Sequence, residues 1–288
     1  MRRLQEIDRD ITTTGSIVQL TGAFEGIASA QIARIKDQVQ QSELFFKELW
    51  PTYTALRVSK GFRKRKAERQ RETKKDLLIV ITSEGSLSGD IDQRLIEQFL
   101  AVYHKNKHDL VVIGRHGEVL LKQHHVQAQH VYSLPDQAHE APVVQSVVEH
   151  VQQYEAATVY FQSYTSLMSQ TIKSIALNAV VQERGDSLER SGEIDALITD
   201  VNYIFEPTIV AVIEYMERSM LGIALSEVLL ESKLAQQASR FRAMSAARIK
   251  AKDTISDLML QYRRGSRAIK DERTKEIISA LRRKSSAI

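Results

Sequence analysis

Apolar residues near the amino terminus recur at Leu4, Ile7, Ile11, Val18, Phe24, Ile27, Ile32, Ile35, Val39, Phe45 and Leu49. Their spacings of three, four and seven follow the period of an α-helix, and no Pro falls within residues 1–50. The pattern predicts one long amphipathic helix, roughly 75 Å at 1.5 Å per residue. Thr12, Thr13, Thr14 and Gly15 are poor helix formers and weaken one turn. Pro51 predicts an end or a kink, because its ring opposes the preceding turn. The other end of the chain carries a narrower stripe. Seven-residue steps join Leu234, Phe241, Ile255, Tyr262 and Ile269, with Arg248 interrupting. A second row joins Leu230, Met244, Ala251 and Leu258, with Gln237 interrupting. Two such rows make a coiled-coil seam rather than a bundle face. No Pro follows Pro207, so residues 208–284 read as one helix on the order of 115 Å long. A domain of this size is not that wide, so the helix must project. The N-terminal helix, folded back antiparallel, is the natural cover for its seam, and the longer helix overhangs.

The middle of the chain has a different grammar. Leu77–Ile81 is an unbroken aliphatic run, the mark of a strand buried on both faces. The stretch TSEGSLSG (82–89) follows, then an amphipathic helix over 90–105. Residues 110–113 predict a second strand ended by Gly114, and 119–121 a third. Residues 133–142 read as a loop, 143–154 as a helix, 158–164 as a strand, and the polar run 183–193 as an exposed loop. Strands alternating with helices imply an α/β layer with a largely parallel sheet. The expected organisation is a discontinuous shaft of 1–58 and 208–288, a connector at 59–75, and an inserted α/β domain at 76–207.

Composition narrows the chemistry. The 288 residues include no Cys, which excludes disulfides, thiolate metal sites and thiol nucleophiles. The N-terminus lacks the apolar core of a signal peptide, and Leu77–Ile81 falls far short of the roughly 20 residues a membrane span needs. The reading is a soluble chain whose membrane link runs through a partner. The net charge of +4 conceals a segregation. Residues 59–76 and 263–288 each carry nine Lys/Arg against three acids, which leaves the rest of the chain at −8. Two basic patches on an acidic body fit either acidic partners or solvated helix faces.

Candidate catalytic motifs are weak. The 82–89 loop lies between a strand and a helix, where phosphate loops lie, but it matches neither G-x-x-x-x-G-K-[ST] nor G-x-G-x-x-G. An ordinary turn with helix caps accounts for it. All eight His lie between 104 and 150, with His104 and His108 four apart and His124, His125 and His130 nearby. No H-E-x-x-H accompanies them, so they read as surface or loop residues and not as metal ligands. The basic run 59–76 has one aromatic, Phe62, too few for a single-strand stacking platform. No catalytic, cofactor or metal site is expected.

The residues carry a resemblance. LLIVITSEGSLSG (77–89), VVIGRHG (111–117), VYFQSY (159–164) and YIFEP (203–207) resemble, in order, segments of the gamma subunit of the rotary F-type ATP synthase. LLESKLAQQASRFRAM (229–244) matches that family's most characteristic stretch at Leu230, Glu231, Ser232, Lys233, Ala238, Arg240, Ala243 and Met244. Ala251, Lys252, Ile255, Asp257, Leu258 and Tyr262 also fit. Ser88 stands where many members have Cys. The basic, Met-containing motif usual in the N-terminal helix is replaced by SIVQLTGAFEGIASAQI (16–32), which has no lysine.

The resemblance implies an antiparallel coiled coil of the terminal helices with an inserted Rossmann-like α/β domain. It implies a non-catalytic rotor shaft inside a ring of three alpha and three beta subunits, coupling ion flow through the membrane rotor to ATP synthesis or hydrolysis. The α/β domain would meet the epsilon subunit and the ring of c subunits, peripheral to the cytoplasmic side of the membrane. No cofactor, nucleic acid or membrane span is implied. Family-motif contacts to partners would fall on Leu230, Glu231, Ser232, Lys233, Ala238, Arg240, Met244, Arg267 and Glu276. Three alternatives stay open at this stage: the shaft of a dedicated F-type-like ATPase, a basic coiled-coil nucleic-acid-binding protein, and an enzyme using the 82–89 loop.

Overall fold

The computed structural model describes residues 4–58, 75–85, 87–134, 141–154, 156–177, 206 and 208–285. The 183–193 run and all of the connector but Lys75 lie outside them. The elements in order are α1 (Leu4–Val58), β1 (Asp76–Ile81), α2 (Ile91–Val102), β2 (His108–Ile113), α3 (Arg115–Gln123), β3 (His130–Tyr132), α4 (Ala141–Val151), β4 (Ala157–Tyr164), β5 (Gln170–Ala176) and α5 (Ile209–Ser285). They form two compact units, Met1–Ile27 with Phe241–Ile288, and Ala28–Arg240, so α1 and α5 each contribute to both.

The larger unit contains a five-stranded sheet in the order β3-β2-β1-β4-β5. β1 pairs in parallel with β2 and β4, β2 in parallel with β3, and β5 joins β4 antiparallel. The parallel part follows the strand order of a doubly wound nucleotide-type fold. β1 alternates between two cores. Leu77, Ile79 and Ile81 face α4 residues Val144, Val147, Val148 and Val151 together with Leu225, Val228 and Leu229 of α5. Leu78 and Val80 face Leu95, Ile96 and Phe99 of α2 and Leu121 of α3. Covering on both faces explains the unbroken aliphatic run. In the same unit, Ile35 of α1 packs with Leu230 and Leu234 of α5.

Within the smaller unit the two helices run antiparallel. Leu4 lies against Gly265, and Gly22 lies against Arg248, whose guanidinium reaches Glu25 at 3.0 Å. Ile7, Thr21, Ala251 and Leu258 are buried there. The second seam row therefore continues one step beyond Leu258, onto Gly265, where the missing side chain admits Leu4.

The structure differs from the sequence pattern in several places. Residues 119–121 are not a strand but part of α3, and the third strand is His130–Tyr132. Three apolar residues in a row carry no period, and here Leu121 is buried while Val119 is exposed, as on a helix. α1 does not end at Pro51 but runs to Val58. β5 was not foreseen: its Ile172 and Ile175 are three apart, which breaks the alternation of a strand. Finally, Tyr262 and Ile269 are 38% and 41% exposed, so the Leu234 row loses its cover after Ile255 while the other row runs on to Gly265 against Leu4. Thr12, Thr13, Thr14 and Ser16 lie within α1, and each hydroxyl donates to the carbonyl four residues earlier.

Candidate functional site: a buried polar joint

The loop after β1 is shaped by close approach. Gly114 has φ +106°, and a Cβ there would sit 2.2 Å from the Thr82 carbonyl oxygen. A Cβ on Gly117 would sit 2.5 Å from Thr82 Oγ1. The two glycines of VVIGRHG thus let α3 start directly against the end of β1, where the Gly117 N–H donates to Thr82 Oγ1 at 2.9 Å. Glu84 accepts from the Leu134 N–H and, at 3.2 Å, from Ser133 Oγ, which ties this loop to the segment after β3.

Asp92, in the first turn of α2, is fully buried. Its carboxylate accepts from the Ser83 N–H at 3.3 Å and from the Ser83 hydroxyl. It also contacts His116 Nδ1 at 2.7 Å and accepts from Gln162 Nε2 at 2.6 Å. A buried carboxylate is tolerable only with several donors of this kind. In the 82–89 turn the Ser83 amide donates to this carboxylate, whose charge would repel a phosphate at that amide.

Gln162 passes the network on to α5. Its Oε1 accepts from Ser232 Oγ at 2.5 Å and Gln236 Nε2 at 3.3 Å, and Gln236 Nε2 also donates to Ser232 Oγ at 3.0 Å. Beside it, Ser163 Oγ donates to Glu231 Oε1 at 2.5 Å. Two turns along, Ser239 Oγ donates to the Ser88 carbonyl at 2.7 Å. All these residues belong to the larger unit.

The expected site residues differ in their surroundings. Glu231 and Ser232 enter this network, Leu230 and Leu234 pack on Ile35, and Lys233 and Ala238 are buried. Arg240 donates to Gln237 Oε1 at 3.4 Å. Phe241, Met244 and Ile255 are half-buried, and Ala251 and Leu258 are buried. Arg267 and Glu276 are exposed. Asp92, His116, Gln162 and Gln236 were missed by sequence reasoning. The sequence pattern offered no signal for them, since Gln162 is one of several polar residues in β4, with Thr158 and Ser163.

The histidines do not converge. His104 N–H donates to His108 Nδ1 at 3.0 Å, and His125, at φ 58°, closes the C-terminus of α3. The His130 and His150 rings lie 4.3 Å apart, with Tyr132 OH 3.1 Å from His150 Nδ1. No group of three or more His, Asp or Glu suited to a metal occurs among the described residues.

An α/β layer keyed by polar contacts to a helix of 77 residues is the build of a stalk subunit. The comparisons agree. The family model described as ATP synthase matches residues 3–281. The ATP synthase gamma chain of Trichlorobacter lovleyi is 24% identical over 291 residues, covering 97% of this chain and 98% of that one. That of Staphylococcus haemolyticus is 25% identical over 295 residues, covering 96% and 98%. The central stalk in the Tetrahymena thermophila mitochondrial ATP synthase aligns with TM-score 0.56 at 16% identity, covering 79% of this chain and 99% of that one. A chain of the Euglena gracilis enzyme aligns with TM-score 0.54 at 15% identity, covering 90% and 94%. The chain belongs to the ATP synthase gamma family, the central-stalk family of the rotary F-type enzyme.

Proposed function

We propose that this chain is a shaft without a catalytic site of its own. It turns inside a ring of three alpha and three beta subunits and couples that ring to ion flow through a membrane rotor. The observation that carries the reading is the buried joint from Asp92 through Gln162 to Ser232, which fastens an α/β layer to a helix of 77 residues. A stalk needs such a fastening, because torque applied to the layer must reach the helix. The far end of α5 supports it too: residues 267–282 are exposed along their whole length and rich in Arg and Lys. Exposed charges of this kind contribute roughly 0–1 kcal/mol each, which suits contacts that must be made and released as a shaft turns. Coupling then consists of biasing ring subunits among discrete states.

The proposed partners of the α/β layer are an epsilon subunit and the ring of c subunits. The proposed location is peripheral, on the cytoplasmic side of the membrane. No described helix is long and apolar enough to cross a membrane. The relatives named above are ATP synthase gamma chains, which does not favour a shaft of a dedicated ATPase. The test is affinity purification of the tagged chain from its native membranes. Alpha- and beta-type ATPase subunits should accompany it at three to one, with ATP hydrolysis present in the complex and absent from the isolated chain. Recovery without them, or saturable ATP hydrolysis by the chain alone, would refute the reading.

A further inference from the structure

We infer that Gln162 is a positioning residue for torque transfer: its side-chain amide keys the angular register between the α/β layer and α5, so that the two turn as one body. The inference rests on the stalk reading above.

Two kinds of contact hold α5 to the layer. Leu225, Val228 and Leu229 pack into the apolar core of the sheet. Such contacts hold surfaces together but are non-directional, so they set the angle of a helix less sharply than hydrogen bonds do. The polar contacts have direction. Gln236 Nε2 donates to Ser232 Oγ, Ser232 Oγ donates to Gln162 Oε1, and Gln162 Nε2 donates to Asp92 Oδ1. Asp92 is at once the acceptor for the Ser83 N–H and hydroxyl and the neighbour of His116 Nδ1. Its carboxylate can only accept, so the NH2 side of the Gln162 amide must face it. The carbonyl side must then face α5 and needs a donor there.

The adjacent pair has the opposite polarity, with Ser163 donating to Glu231. Neighbouring residues of β4 therefore read neighbouring residues of α5 as donor and acceptor in a fixed order. Rolling α5 by one residue would bring the acceptor Glu231 towards the acceptor Gln162 Oε1, and both bonds would be lost together. Asp92 and Gln162 are fully buried and Ser232 and Gln236 are buried, so water cannot replace the lost partners.

The experiment uses the whole complex in sealed vesicles. ATP hydrolysis is measured together with ATP-driven ion uptake, read with a pH dye and a sodium dye. In Gln162→Leu, assembly and hydrolysis should persist while ions moved per ATP fall severalfold, because the helix turns without carrying the layer fully with it. Ser232→Ala is the milder version and should lower the ratio less. Val228→Ala weakens the same junction through its apolar side and should lower thermal stability without changing the ratio. Gln162→Glu places two carboxylates face to face and should be the worst variant. Adding Asp92→Asn to Gln162→Glu supplies a donor to the introduced carboxylate and should restore part of the ratio. An unchanged ratio in both Gln162→Leu and Ser232→Ala overturns the inference, and so does a loss in Val228→Ala equal to theirs. A wild-type chain that assembles with no alpha or beta subunits fails earlier, at the stalk reading, before any variant is compared.

Discussion

Gly117→Ala tests whether the start of α3 is built on contact with Thr82. In an open helix this substitution stabilises by about 1 kcal/mol, because Gly is the poorer helix former. At Gly117 the added Cβ would lie 2.5 Å from Thr82 Oγ1, 2.7 Å from its Cγ2 and 3.1 Å from its Cβ. Thr82 cannot easily yield. It is buried, its Oγ1 accepts the Gly117 N–H at 2.9 Å, and the same hydroxyl lies 3.2 Å from the Gly114 carbonyl. Overpacking costs about 1–3 kcal/mol, and an orphaned buried N–H a similar amount. After the propensity gain is subtracted, Gly117→Ala should destabilise by roughly 1–5 kcal/mol, against a total that is typically about 5–15 kcal/mol. Gly15 is the internal control. It lies in α1 with nothing within 4 Å of an added Cβ, so Gly15→Ala should stabilise by about 1 kcal/mol. Urea unfolding followed by circular dichroism gives the magnitudes, and hydrogen exchange assigns each change to α3 or α1. In Thr82→Ala/Gly117→Ala the clash is relieved, so the double variant should cost less than the sum of the singles by about 1 kcal/mol or more. A stabilised Gly117→Ala, or additivity within about 0.5 kcal/mol, would refute the steric account.

Three further outcomes are expected. Leu258→Ala should destabilise the isolated chain by about 2–3 kcal/mol while Ile269→Ala stays within about 0.5 kcal/mol, and equal losses in urea unfolding would return Ile269 to the seam. Tyr154 donates to Asp109 Oδ2 at 3.1 Å, and burial, then the Asp109 charge and this hydrogen bond, push its hydroxyl up to about 12 from 10.0. Its raised value in the fold means that its contribution is complete below pH 10.0 and is lost as pH rises through about 12. Tyr154→Phe should therefore flatten the alkaline fall in urea midpoint, and an identical fall in both proteins would sink this. Deleting residues 282–288 should lower complex yield without abolishing ATP-driven rotation, and complete loss of hydrolysis in a fully assembled truncated complex would show that the tip carries the coupling.

What the sequence made legible follows a physical division. Long-period features survive from pattern to structure: the heptad steps of α5 and the run Leu77–Ile81 need no knowledge of their partners. Features set by contact between distant segments do not. Residues 119–121 read as a strand because the fact that fixes them, the meeting of Gly114 and Gly117 with Thr82, joins residues more than thirty positions apart. Gln162 is invisible to a hydrophobic pattern, since it is one more polar letter in a strand that also holds Thr158 and Ser163, until Asp92 and Ser232 stand on either side of it. Glu231 and Ser232 were found through the family motif, but their reason for being polar appears only with Ser163 and Gln162 in place. Pro51 shows the limit of a local rule, because one missing hydrogen bond did not end a helix of 55 residues.

Arg248 interrupts an apolar row, and its neighbours show why it is tolerated. Its side chain lies along Gly22, with Cδ and Nη1 3.6 Å from where a Cβ would stand, and Glu25 receives its charge. Sliding one helix past the other by a heptad would put Val18 or Ile32 in the place of Glu25. Either slip would strand a guanidinium against an aliphatic side chain. One polar position in a seam fixes alignment at a cost in stability. The pair of helices thus carries a mark that sets its alignment. Insertions in one helix alone between this mark and Gly265 are forbidden, and insertions of equal length in both are allowed. Beyond Gly265 the rule lapses, so the free end of α5 is where the length of such a stalk can drift without disturbing the pairing of its helices.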